Sequence, residues 1–186
     1  MTVADRAKRI LFKPEEEWRV IEGESADLKT LYSEYLCILA LIPAVGTFVC
    51  STFIGVEMPS GLVQLSVGAG VLCAIYTYFM VLAVVYIAAL VTDWLAPRFG
   101  GEKNIDNALK LSVYCNTPYC LAAVFSMIPG LNILSIIGLY GLYLFYVGAP
   151  ILMKSAPRSV LYPATVFVIV FIVALPLGAI QAMFWL

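Results

Sequence analysis

The sequence predicts an all-α polytopic membrane protein with five transmembrane helices, a cytoplasmic N-terminus and the C-terminus outside. Three observations predict it. First, 62% of the residues are hydrophobic and 12% are charged, whereas a soluble domain is nearer half apolar and a quarter charged. Second, the apolar excess sits in runs near 20 residues or longer, the length that crosses a hydrocarbon core of about 30 Å. The short alternating segments of a β-barrel are not seen. Third, all 11 Lys and Arg residues fall on one side of a five-span arrangement, the bias expected of cytoplasmic loops.

Residues 1–30 read as a cytosolic amphipathic segment ahead of a membrane domain over 31–186. Val3, Ala7, Ile10 and Leu11 share one face of a short helix, with Asp5, Arg6, Lys8 and Arg9 on the other. Such a helix either lies on the bilayer, with Arg6, Lys8 and Arg9 toward anionic headgroups, or packs on the cytosolic face of its own protein. Lys13-Pro14 starts a second helix, with proline at its first position and Glu15, Glu16 and Glu17 complementing the positive end of the dipole. Trp18, Val20 and Ile21 supply an apolar edge, Trp18 as a membrane-surface residue, and Gly23 ends the helix. The charged start lacks the early apolar core and cleavage site of a signal peptide, so it is expected to be retained.

Spans are expected at about 31–53, 62–92, 108–127, 131–153 and 160–184. Pro43 kinks the first by removing a backbone donor. The second is long enough that it must tilt or project into the cytosol. Its Ser66, Gly68, Ala69 and Gly70 allow close helix approach. A polar loop from Asp93 to Asn107 leads into the third, Pro129-Gly130 turns the chain into the fourth, and Lys154-Ser155-Ala156-Pro157-Arg158 separates the fourth from the fifth. Positive charges lie before the first span (Arg6, Lys8, Arg9, Lys13, Arg19, Lys29), after the second (Arg98, Lys103, Lys110) and after the fourth (Lys154, Arg158).

Chemistry is sparse. There is no histidine, which excludes His-based acid–base catalysis, Ser–His and Cys–His pairs and His-rich metal sites. The five cysteines lie in or beside apolar runs and form no CxxC pair. No P-loop or HExxH pattern is present. A net charge of −1 gives no reason to expect nucleic acid. No catalytic residue, metal site or cofactor is expected.

Polar candidates concentrate in the third and fourth spans. Tyr114, Asn116, Thr117 and Pro118 form a polar knot: Pro118 frees a carbonyl one turn earlier, and Asn and Thr can satisfy it or bond to another helix. The knot is either a ligand or headgroup site or a structural kink. Gly138, Gly141 and Gly148 offer close approach, while Tyr140, Tyr143 and Tyr146 need partners for their hydroxyls. Asp93 ends the second span and Lys154 the fourth at one depth, so the two either pair or stay solvated.

Taken together, these segments resemble the Yip family, the Ypt/Rab-interacting membrane protein domain. The resemblance rests on Ile10-Leu11-Phe12-Lys13-Pro14 followed by Trp18, on Phe99-Gly100-Gly101, on Tyr114-Cys115-Asn116-Thr117-Pro118 as a Y-x-x-T-P signature, and on the glycine- and tyrosine-rich stretch from Gly138 to Gly148. It implies five spans and a cytosolic N-terminus. In eukaryotes it implies GTPase binding, vesicle traffic and membrane shaping. The short N-terminal segment is similar to that of bacterial members, and bacterial cells lack Rab partners, so no GTPase partner is carried over. The expected protein is a non-enzymatic, multi-pass component of the inner membrane that meets lipids and either its own copies or another membrane protein. The alternative is a small transporter or channel for ions, lipid or a small solute, with its pathway along Tyr114, Asn116, Thr117, Tyr140 and Tyr143 and Asp93 as a cation contact.

Overall fold

Two short helices lead into the membrane part of the chain. In the computed structural model, which describes residues 2–24, 30–58, 61–128, 131–156 and 160–183, they are α1 (Val3–Phe12) and α2 (Pro14–Gly23). Thr2 caps α1, its hydroxyl accepting from the Asp5 amide at 3.2 Å. Pro14 occupies the start of α2, where no intrahelical donor is needed. Lys29, Arg158, Pro129-Gly130 and the side chain of Glu57 lie outside the described residues.

The first apolar helix, α3 (Leu31–Ile54), opens and closes in π-helical turns, Leu31–Leu36 and Cys50–Ile54, around an α-helical middle that contains Pro43. A two-stranded antiparallel pairing follows, β1 (Val56–Met58) with β2 (Gly61–Val63). The chain there is extended, so the next helix starts later than the composition implied: Ser66 caps α4 (Val67–Leu95). At about 1.5 Å per residue, α4 is about 44 Å long and overshoots a hydrocarbon core of about 30 Å. A 3₁₀ turn, Ala96–Phe99, ends it before Gly100 at φ 72°. The loop then runs beside the end of the fourth apolar segment, with the Glu102 amide donating to Met153 O at 2.8 Å and Ala156 to Phe99 O at 3.1 Å.

The third and fourth apolar segments are broken helices. The third is α5 (Ile105–Cys115), a turn at Asn116, then α6 (Thr117–Ala122) running into the 3₁₀ turns Ala123–Met127. Pro118 has no amide to donate back to Tyr114, and its ring disfavours a continuous helix; the break falls two residues before it. The fourth is a 3₁₀ stretch, Asn132–Leu139, continued as α7 (Tyr140–Leu152). The last helix is α8 (Leu161–Ala182). Among the described residues, three helices are long and apolar enough to cross a membrane, Leu31–Ile54, Val67–Phe99 and Leu161–Ala182, and Ile136–Leu152 is a shorter apolar helix.

The buried core ties the N-terminal hairpin to the bundle. Ile10, Trp18 and Ile21 belong to one cluster with Leu36, Leu109, Leu111, Leu144 and Leu152. Most of the outward side chains of α4 and α8 are apolar and exposed, such as Phe79, Phe171 and Ile172, as expected of a lipid-facing surface.

Candidate functional site

The site begins where the hairpin meets α5 and α7. The apolar stripe of α1 faces inward, and Arg6 lies beside it with only 11% of its side chain exposed. Its guanidinium binds Glu17 Oε1 at 2.6 Å and Glu24 Oε1 at 2.5 Å. Glu17 is 3% exposed and also has Arg9 Nη1 at 3.7 Å. Burial pulls the Arg6 guanidinium down, but the Glu24 hydrogen bond and the surrounding charges outweigh it and hold Arg6 above its ordinary value. Lys110 reaches from α5 to the end of α2, donating from Nζ to Ile21 O at 3.1 Å and Glu24 O at 2.5 Å. A cation on the last carbonyls of a helix satisfies groups left without intrahelical partners.

Aromatic contacts carry this layer into the polar knot. Arg6 Cζ lies 5.9 Å from the centre of the Tyr114 ring. Tyr114 meets Trp18 edge-on at 6.1 Å and Tyr35 at 4.8 Å. The Tyr35 hydroxyl and Thr117 Oγ1 are hydrogen-bonded at 2.9 Å in the buried interior. Tyr114 and Thr117 therefore join α3, α5, α6 and the hairpin. Tyr140, partly buried against the core, also reaches the hairpin: its hydroxyl donates to Leu11 O at 3.0 Å, and its ring tilts against Tyr143 at 5.3 Å.

Two expected surface residues are corrected by this arrangement. Trp18 has 0% exposure and lies over Gly148, and Arg6 is held by carboxylates of its own hairpin. An indole beside charged residues suits an interface or a core equally well; here the glycine at 148 leaves room for the ring. Lys8 and Arg9 do point outward, Arg9 with 54% of its side chain exposed. The Asp93–Lys154 pairing is not formed. Lys154 binds Glu102 Oε2 at 2.9 Å, a bond that raises its pKa above the ordinary lysine value. Asp93 Oδ1 is buried without a hydrogen-bond partner among the described residues.

Next to the knot lies a cavity of about 620 Å³ bounded by α3, α4, α5, α6, α7 and α8. Ser112, Asn116 and Tyr119 contribute to it from the third segment, Gly138 and Gly141 from the fourth. Tyr114, Thr117, Pro118, Tyr140 and Tyr143 are not among its lining residues, so the expected pathway residues divide into a packed group and a cavity group. Of the two glycines, Gly141 permits the closer approach: a Cβ there would collide with Cys115 O. At Gly138 it would make ordinary contact with Tyr119 Cα at 3.4 Å.

Sequence reasoning missed the other polar groups of the cavity. Thr77 Oγ1 donates to Cys73 O at 2.9 Å, lies 3.2 Å from Thr47 Oγ1, and accepts from Gln181 Nε2 at 3.0 Å. Ser112 precedes Asn116 by four residues, the spacing that puts two side chains on one helix face, and this was the available signal. Among the described residues, no group of three His, Cys, Asp or Glu is placed to hold a metal ion.

Comparisons with known proteins agree with this architecture. The Yip1 domain model matches residues 8–178. The inner membrane protein YohC of Escherichia coli strain K12 is 26% identical over 142 residues, covering 74% of this chain and 73% of its own. YohC of Escherichia coli O6:H1 matches with the same identity and coverage. No solved structure matches the chain. The apolar helices, the family match across nearly the whole chain and the inner-membrane relatives lead to one conclusion: the chain belongs to the Yip1 domain family and is a multi-pass protein of the inner membrane.

Proposed function

We propose that this protein is a non-enzymatic organiser of the inner membrane, acting on lipids and on its own copies or another membrane protein. In this reading the chain crosses five times, with the broken segments 105–127 and 132–152 as the third and fourth crossings. The N-terminus is cytoplasmic and the C-terminus outside, which puts every Lys and Arg on the cytoplasmic side.

The observation that carries the reading is the surface of the docked hairpin. Arg6, Trp18 and Tyr114 are used internally, and Phe12 remains 78% exposed beside the outward-facing Lys8, Arg9, Lys13 and Arg19. A docked platform with an exposed aromatic ring and a mixed charged surface, Lys8, Arg9 and Arg19 beside the exposed Glu15, Glu22 and the Lys13–Glu16 pair, suits the headgroup layer or a membrane-bound partner. Native mass spectrometry from mild detergent, with liposome imaging after reconstitution, tests this. A defined oligomer and altered liposome shape are expected; a monomer that leaves liposomes unchanged would overturn it.

A second reading, transport of an ion, lipid or small solute, is favoured by the contact between the cavity and Asn116. It requires flux through proteoliposomes that Asn116→Ala abolishes.

A further inference from the structure

Beside the knot, the cavity holds a buried polar group left open. Ser112 is 6% exposed, lines the cavity, and its Oγ has no hydrogen-bond partner among the described residues. A buried hydroxyl without a partner is costly. Its neighbour Asn116 gives its Nδ2 to Cys120 Sγ at 3.3 Å, a weak acceptor. The polar groups elsewhere in the cavity differ, because Thr47, Thr77 and Gln181 bond to one another.

Depth and charge restrict what the open hydroxyl can meet. Ser112 is two residues from both Lys110 and Tyr114, about 3 Å along the helix axis, so this end lies level with the charged layer of the hairpin. Val85, Leu142, Phe145, Val166, Val170 and Phe171 are among the walls of the remainder, and no charged side chain lines it among the described residues. A carboxylate or phosphate inside would be desolvated without a counter-charge. The volume falls within the range of about 300–1,000 Å³ that suits a single small ligand.

We propose that the cavity binds an uncharged single-chain amphiphile. A hydroxyl or ester carbonyl of the head bonds Ser112 and Asn116, and the hydrocarbon chain fills the apolar body. A monoacylglycerol has this chemistry.

The test uses the full chain in phospholipid nanodiscs and monooleoylglycerol carrying a diazirine in its chain. Light-induced labelling is mapped by mass spectrometry, with competition by unlabelled monooleoylglycerol or by ionised oleate. Labelling is expected on cavity residues such as Leu142, Phe145 and Val166, with the ester competing and the carboxylate not. Ser112→Ala should reduce cavity labelling about fivefold, the equivalent of one hydrogen bond, without loss of thermal stability, since that hydroxyl bonds to nothing among the described residues. Ala174→Phe, which fills the far end of the cavity, where Tyr76 donates to Leu177 O, should abolish labelling. Labelling confined to outward residues such as Phe79 and Ile172, equal competition by oleate, or full labelling of either variant would overturn the proposal.

Discussion

The Trp18 ring lies directly over Gly148: a Cβ added at Gly148 would stand 2.6 Å from Trp18 Cε2 and 2.7 Å from Leu111 Cδ1. Helix α7 thus carries a notch filled by the N-terminal hairpin. Gly148→Ala should force the indole to shift and cost about 2 kcal/mol, as overpacking of a filled interior does. A lower melting temperature and faster proteolysis between Phe12 and Trp18 are the expected readouts.

Arg6 is the electrostatic counterpart of that contact. Arg6→Met leaves Glu17 buried, with Arg9 at 3.7 Å as its nearby cation. Breaking such a pair should destabilise by about 3 kcal/mol, whereas Arg6→Met with Glu17→Met removes both charges and should recover much of the loss. Thermal unfolding of the two variants in detergent checks the order.

The Tyr35–Thr117 bond predicts a similar asymmetry in a neutral pair. Thr117→Val leaves a buried phenol without its partner and should cost about 1–3 kcal/mol. Adding Tyr35→Phe should cost little more, because no polar atom of that pair then remains unsatisfied. Additive losses would contradict a direct bond.

Asp5 gives a pH dependence at the start of α1. Its hydrogen bond with the Thr2 hydroxyl holds its carboxyl below the ordinary range. A depressed folded pKa contributes stability that is present above the unfolded value, about 3.9, and is lost as pH falls through the folded value. Amide exchange in Val3–Phe12 should therefore quicken below about pH 4, and Thr2→Ala should flatten that response.

Hydropathy made the three long helices legible, since an apolar run near 20 residues has few alternatives. The glycines at 141 and 148 were legible as sites of close approach, but their partners were not. A sequence does not say that Gly148 receives Trp18 while Gly141 meets Cys115 O. Pro118 signalled a bend, whereas the 3₁₀ stretch Asn132–Leu139 has no comparable mark, because an apolar run reads alike in either helix. Ser112 and Gln181 were overlooked because single small polar residues in a span gain meaning only when the facing helices are known. Lys110, counted among cytosolic charges, proved to be the group that holds the end of α2.

Depth-resolved quenching of Trp18 tests most directly whether the N-terminal hairpin is part of the fold or lies on lipid. With Trp94→Phe and Trp185→Phe, Trp18 is the one remaining indole, and its fluorescence can be read in liposomes containing brominated phospholipid or aqueous acrylamide. Shielding from both quenchers is expected while the ring lies between α2 and α7, with exposure appearing in Gly148→Ala. Strong quenching of the protein without that change by bromine near the headgroups would contradict a docked hairpin.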